Sequence, residues 1–473
     1  MINRYFIEQF KIFFGLEPTE GQRIAIEKLG DFMLSGREKD AFILKGYAGT
    51  GKTSLVGALV RLLDSIKQKV ILIAPTGRAA KVFSLHAGHP AYTIHKKIYR
   101  QKVFNGEGGN YTLSDNLHQH TLFIVDEASM IANEGLSGKT FGNGRLLDDL
   151  IEYVYAGQGC RLLLLGDTAQ LPPIGEEESP ALSRHLIAGY GLDVTECELK
   201  EVVRQLDTSG ILWNATELRR LVCDNGYGIL PQVKLAGFPD ICNLPGNELI
   251  EALEQSYSRV GIDDTMVICR SNKRANIYNN GIRSRILYRE EELSSGDMIM
   301  IAKNNYFWTA EYKEMDFIAN GDIAIVRRVR REREMYGFRF ADVTVRFPDY
   351  DDFEIEATVL LDTLQSESPA LTHEQSDNLF NSIMEDYSDI PQKREQLKKL
   401  KVDPYFNALQ VKYAYAVTCH KAQGGQWSHV YIDQGYITTE MMTPEYYRWL
   451  YTAFTRATEK LYLVNFPKEQ TTE

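Results

Sequence analysis

The segment GYAGTGKT, Gly46 to Thr53, carries the residue types that a phosphate-binding loop requires. Gly46, Gly49 and Gly51 free the backbone so that successive N–H groups, that of Thr50 among them, can close around phosphate oxygens. Lys52 supplies a point charge for the β and γ oxygens, and Thr53 turns a hydroxyl towards Mg²⁺. The loop stands between an apolar run, AFILK, and an apolar-periodic stretch, SLVGALVRLLDSI. That strand–loop–helix context makes it a nucleoside triphosphate site.

Three further segments offer chemistry at predicted strand ends. In LFIVDEAS, Asp126 can hold Mg²⁺ through water while Glu127 polarises an attacking water. A solvated turn would have the same spelling, and it is the neighbouring phosphate loop that favours the chemical reading. RLLLLGDTAQLPPIG adds Asp167 and Gln170 at another strand end, or else a turn stiffened by Pro172 and Pro173. In PTEGQ, Thr19 and Gln22 spell a capping box for the following helix. Gln22 could equally read an adenine edge, and the two roles do not exclude each other. Near the C-terminus TCHKAQGG (Thr418 to Gly425) and LYTAFTRA (Leu450 to Ala457) put small, polar and basic residues after core strands. Arg456 there could reach a γ-phosphate from a second domain, or be an ordinary surface charge.

These segments need a scaffold that brings strand ends together. Apolar strands at Ala41–Lys45, Val70–Ala74, Leu122–Asp126 and Arg161–Asp167 alternate with helical patterns, which predicts a parallel sheet covered on both faces. A second set, Met266–Ser271, Ala414–Thr418, Val430–Asp433 and Leu461–Val464, predicts a second α/β domain. Two insertions break the rhythm. Tyr99 to Ser114 has short arms around Asn-Gly and Gly-Gly, the chemistry of a protruding hairpin. From Gly296 to about Leu361 strand follows strand without helices, predicting a small β-barrel, and a polar helical stretch runs from Thr372 to Lys401.

The chain has 473 residues, enough for several domains, and its 44% hydrophobic and 25% charged content is that of a globular protein. No run approaches the ~18 apolar residues of a membrane span, and Arg4, Glu8 and Lys11 interrupt the N-terminal apolar positions, so no membrane partner and an intracellular, cytoplasmic setting are expected. Six scattered cysteines without C-x-x-C argue against zinc, iron–sulfur and disulfide frameworks, and are expected as buried thiols. A net charge of −11 means that nucleic acid would have to be held in a local basic groove. The stripe Arg327, Arg328, Arg330, Arg331 and Arg333 could touch phosphate or be a solvated strand face.

In order along the chain, TEGQ, GYAGTGKT, APTGRAAKV, TIHK, DEAS, LLLGDTAQLPPIG, VICRSNKRAN, VTCHKAQGGQW and LYTAFTRAT resemble the Q motif, motifs I and Ia, the segment following Ia, and motifs II to VI of superfamily 1 DNA helicases. The T-x-H-K-A-Q-G wording of motif V resembles the RecD/Dda group, which translocates 5′ to 3′, more than the UvrD/Rep group. The resemblance implies an ATP- and Mg²⁺-dependent motor on single-stranded and forked duplex DNA. It also implies a monomer serving repair, recombination or replication, with possible replication or repair proteins as partners. It places Gly424 at the nucleotide, Arg204 in LKEVVRQ as a second arginine at the cleft, and Thr76, His95, Thr418, His420 and Lys421 on DNA. It makes the hairpin, near 97–118 and with Phe104 at its apolar tip, a strand-separating pin, and Gly296 to Leu361 an SH3-like barrel. Two RecA-like domains follow, 1–205 and 206–295 with 402–473, with 296–401 inserted. An exonuclease motor subunit and a non-motor nucleotide switch are the competing functions; no stretch supplies the acidic cluster and lysine of a nuclease domain.

Overall fold

The computed structural model describes residues 2–101, 111–133, 144–203, 208–312, 315 and 317–472. Along the first half run β1 (Asp40–Gly46), β2 (Val70–Ala74), β3 (Ala91–Thr93), the antiparallel pair β4 (Tyr99–Gln101) and β5 (Tyr111–Leu113), then β6 (Leu122–Val125), β7 (Arg161–Gly166) and β8 (Asp193–Leu199). All but the β4/β5 pair form one six-stranded parallel sheet in the order β3-β2-β6-β7-β1-β8. Its two faces bury separate apolar clusters. Phe42 and Leu44 face the helices Glu20–Leu34 and Lys52–Ser65, while Ala41 and Ile43 face the helix Leu146–Ala156. Both faces are dry, which is why these strands are continuous apolar runs and do not alternate.

In the second half come β9 (Val233–Lys234), β10 (Ile241–Leu244), β11 (Thr265–Cys269), β12 (Met298–Ile301), β13 (Ile323–Met335), β14 (Phe338–Phe347), β15 (Phe353–Leu360), β16 (Leu409–Tyr413), β17 (Ala416–Thr418), β18 (Trp427–Asp433), β19 (Ala457–Val464) and β20 (Thr471–Thr472). A five-stranded parallel sheet has the order β10-β19-β18-β11-β17, and β12 to β16 close a barrel. The barrel's closing strand, Leu409–Tyr413, is supplied from beyond the helices His373–Asp386 and Lys393–Lys401. The barrel is seated on the second sheet's helix Asn272–Arg285 by a buried ion cluster. Asp297 takes Arg283 Nε at 3.0 Å and Arg289 Nη1 at 2.6 Å, and Tyr415 donates to the same carboxylate at 2.9 Å.

The arginine stripe on β13 is mostly neutralised: Arg327 pairs with Glu354, Arg330 with Glu356 and Arg333 with Asp342. This fits the solvated-face reading. Among the cysteines, Cys160, Cys197, Cys269 and Cys419 are buried and none is disulfide-bonded, but Cys223 is exposed, because it ends the helix Gly210–Cys223 where the core stops. Among the described residues no helix is long and apolar enough to cross a membrane.

Candidate functional site

The loop after β1 is shaped by its glycines. Gly49 and Gly51 take φ of 76° and 81°, left-handed values that a side chain disfavours. A Cβ on Gly46 would stand 2.8 Å from Lys52 Cγ, and one on Gly51 2.7 Å from Gln22 Nε2. Thr50 is fully buried, its hydroxyl donating to the Tyr47 carbonyl at 2.8 Å, and Lys52 donates to the carbonyls of Gly46 and Tyr47. Lys52 and Thr53 open the helix Lys52–Ser65, so the loop's N–H groups and that helix's positive end point the same way. Gln22 completes the capping box with Thr19, and its Nε2 donates to the Thr50 carbonyl at 3.0 Å. Of the two roles open to it, the structure displays the capping one, extended to a strut beneath the phosphate loop.

The carboxyl ends of β6, β7 and β1 lie side by side, bringing Asp126 and Glu127, then Asp167 and Gln170, beside that loop. Asp126 accepts the Glu127 N–H at 2.9 Å; burial first, and Glu127 second, push its pKa up to about 7, while Lys52 pulls the other way. Glu127 sits at φ 51°, a left-handed conformation rare for a side-chain-bearing residue and typical of strained functional positions. Gln170 is buried and its Oε1 has no hydrogen-bond partner, leaving an acceptor that an ordered water can satisfy. Thr53 and Asp126 offer the hard oxygen donors that suit Mg²⁺. No group of three or more His, Cys, Asp or Glu stands together among the described residues, so the ion would draw its other ligands from water and phosphate.

A second set of contacts comes from the other sheet. The helix Pro444–Phe454 presents Arg448, Tyr451 and Thr452, spaced to share one face, to the β1 and β7 loops. Arg448 donates to the Thr168 carbonyl, Thr452 accepts the Leu171 N–H at 2.9 Å, and Tyr451 joins Ala48 to Asp167. Arg456, expected to reach a phosphate, is 3% exposed and bonded within its own unit: to the Thr452 and Gly425 carbonyls and the Thr455 hydroxyl, each at 3.1 Å. Gly424, expected at the nucleotide, lies against motif Ia instead, where a Cβ would meet Ala79 Cβ at 3.1 Å and Thr76 Oγ1 at 3.3 Å. Arg204 and Phe104 lie outside the described residues.

The candidate DNA residues sit at the ends of other strands. Thr76 follows β2 and caps the helix Gly77–Ala87 through Ala79 N, and Thr418 begins the short helix Cys419–Ala422 after β17. His95 packs its ring against Tyr99 and Phe317, and burial lowers its pKa to about 4. Burial also lowers His420 and Lys421, and it brings Lys412 down to about 8 with Lys421 adding to the shift. Both histidines are therefore stacking or hydrogen-bonding groups at neutral pH. Lys412 is itself buried and donates to the Ser366 carbonyl, with Lys421 the nearby charge that adds to its shift. Arg78 bridges the two sheets' units here, its guanidinium 4.3 Å over the Trp427 ring and 2.8 Å from the Gln426 carbonyl.

Residues 18–220 match the model of an AAA domain family, and residues 413–464 match that of a UvrD-like helicase C-terminal domain. The ATP-dependent DNA helicase Dda of phage T4 is 24% identical over 89% of this chain and 92% of its own. These matches are consistent with a superfamily 1 helicase of the RecD/Dda type. The ATP-dependent RecD2 DNA helicase of Deinococcus radiodurans is 34% identical over 134 residues, which make up 28% of this chain and 16% of that protein. A crystal structure of Bacteroides Pif1 helicase with ADP-AlF3 and single-stranded DNA aligns over 97% of this chain and 95% of its own, with a TM-score of 0.48 and 15% identity.

Within this site, Arg78, Trp427, Arg448, Tyr451 and Thr452 look like ordinary basic or core residues in the sequence. Arg78, Trp427, Tyr451 and Thr452 lie inside the motif segments, which is their one signal, whereas Arg448 precedes LYTAFTRAT by two residues and has none. Arg456→Ala is expected to lower the thermal midpoint as well as ATP turnover, since it strips partners from buried carbonyls at Gly425 and Thr452. Unchanged melting with lost turnover would place the guanidinium on the phosphate alone.

Proposed function

We propose that this protein is an ATP-dependent DNA helicase that moves 5′ to 3′ along single-stranded DNA and separates duplex in repair, recombination or replication. The observation that carries the reading is the phosphate loop after β1, flanked by acidic strand ends and clasped by a helix of a second parallel sheet. The backbone of Gly46 to Thr53 cradles the triphosphate and Lys52 holds its terminal oxygens. Gln170 orients the attacking water and Glu127 takes its proton. Thr53 and Asp126 would hold Mg²⁺, which supplies charge neutralisation of the phosphates when bound. Arg456, and Arg204 outside the described residues, belong to the coupling machinery that answers to the nucleotide.

Two motor units, 1–205 and 206–295 with 402–473, share this cleft; the inserted 296–401 carries the helices and four barrel strands, and Leu409–Tyr413 from the returning stretch closes the barrel. Thr76 and His95 on the first and Thr418, His420 and Lys421 on the second line the strand's path. Closing on ATP and opening after hydrolysis moves one set past the other. Polarity tests the reading. A duplex with a 5′ single-stranded tail should be unwound and one with a 3′ tail left largely intact, with binding weakened by rising salt through counterion release. A 3′ preference would overturn the direction, and ATPase indifferent to single-stranded DNA would favour the nucleotide switch.

A further inference from the structure

The helix Pro444–Phe454 hydrogen-bonds the nucleotide loop through the Tyr451 hydroxyl. Tyr451 Oη accepts the Ala48 N–H at 2.9 Å and donates to Asp167 Oδ2 at 2.6 Å. Ala48 lies within GYAGTGKT on the first sheet's unit, Asp167 three residues before Gln170 on the same unit, and Tyr451 on the second. The hydroxyl has one proton to give and here both gives and accepts, so its hydrogen bonding is directed and not interchangeable. Tyr451 is 1% exposed, and a buried carboxylate–hydroxyl contact of this kind is a charge-assisted bond. Asp167 Oδ1 meanwhile accepts the Ala169 N–H at 2.9 Å, which fixes the turn that carries Gln170.

We propose that Tyr451 is the positioning residue through which the second motor unit sets the phosphate loop and the Asp167–Gln170 turn in register for hydrolysis. The inference rests on the ATP-driven reading above. Its hydroxyl ties two loops that share no covalent proximity, and both ties cross between the units, so they form when the units close and break when they part. Arg448 and Thr452, one turn before it and next to it on the same helix, grip the β7 loop at Thr168 and Leu171 and leave the Ala48 bond to Tyr451 alone. A residue of this kind acts on turnover, because Lys52 and the loop backbone still hold the nucleotide without it.

Tyr451→Phe keeps the ring and removes both hydrogen bonds. The DNA-stimulated kcat should fall by at least ~10-fold, the factor expected for one lost charge-assisted bond, with KM for ATP within ~3-fold of wild type. Asp167→Asn should cost a similar factor, and the double variant little more than either single one, since both cut the same link. Wild-type kcat in a folded Tyr451→Phe protein, or additive losses in the double variant, overturns the inference. If Tyr451→Phe melts early, Asp167→Asn alone decides, a near wild-type kcat again being the overturning result. Lys52→Ala separates this from failure of the parent reading: turnover surviving in Lys52→Ala sinks the ATP site itself, whereas a dead Lys52→Ala beside a normal Tyr451→Phe sinks only the role of Tyr451.

Discussion

Lys52→Ala is expected to abolish ATP turnover, whereas Glu127→Gln should keep ATP binding and lose turnover by at least ~10²-fold. The two residues stand on neighbouring parts of one sheet edge but do different work. Lys52 is the cation that the phosphate loop presents, its Nζ turned into the loop on the carbonyls of Gly46 and Tyr47. Without it the terminal phosphates lose their point charge in both ground and transition states. Glu127 is held in a left-handed conformation immediately after Asp126, and burial, with the Glu127 charge second, keeps the Asp126 carboxyl well above its ordinary range. Replacing Glu127 by its amide keeps shape and hydrogen-bonding capacity while removing basicity. Nucleotide binding by a fluorescent ATP analogue, set beside steady-state hydrolysis, separates the two outcomes. Near wild-type hydrolysis by Glu127→Gln would move the base elsewhere on the edge, with Asp167 the next carboxylate in line.

The sequence made the sheet edge legible because its strands are uniformly apolar and its loops are spelled in glycine and acid. Elements that break that rule were harder to see. The strand Asp193–Leu199, DVTECEL, sits at the sheet edge beside β1 and alternates polar with apolar, so it lacks the continuous run that marks its neighbours. The barrel's fifth strand, Leu409–Tyr413, is separated from the other four by two helices and merges in sequence with the next strand, Ala416–Thr418. Side-chain direction was not legible at all. Nothing in LYTAFTRA says that Tyr451 crosses to the phosphate loop while Arg456 folds onto its own Gly425, because spacing fixes a helix face but not which rotamer finds a partner. Gln22 is the converse case: the T-x-x-Q spacing named its cap correctly, and only the packing revealed that the same amide braces Thr50.

The hairpin gives the other large effect. A pin parts strands by standing stiffly where they diverge, so its base must be anchored to the motor. The described base is anchored: Gln101 and Tyr111 are paired across the β4/β5 ladder, Tyr99 donates to the buried Asp149 carboxylate at 2.7 Å, and Arg100 pairs with Asp115 at 3.0 Å. Residues 102–110, with Val103 and Phe104, lie outside the described residues. Excision must therefore spare Tyr99, whose bond to Asp149 belongs to the first unit's core. Replacing 102–110 by an Asn-Gly turn between Gln101 and Tyr111 closes the ladder with a favoured two-residue connection. DNA-stimulated ATPase and translocation along single strands should survive, because the phosphate loop and the strand path are untouched. Unwinding of a forked duplex should fall to background, since the motor would then advance without a wedge at the junction. A folded excision variant that unwinds at the wild-type rate per ATP consumed would remove the pin role from this hairpin and send the search for the wedge to the barrel, whose Phe317 already lies against His95.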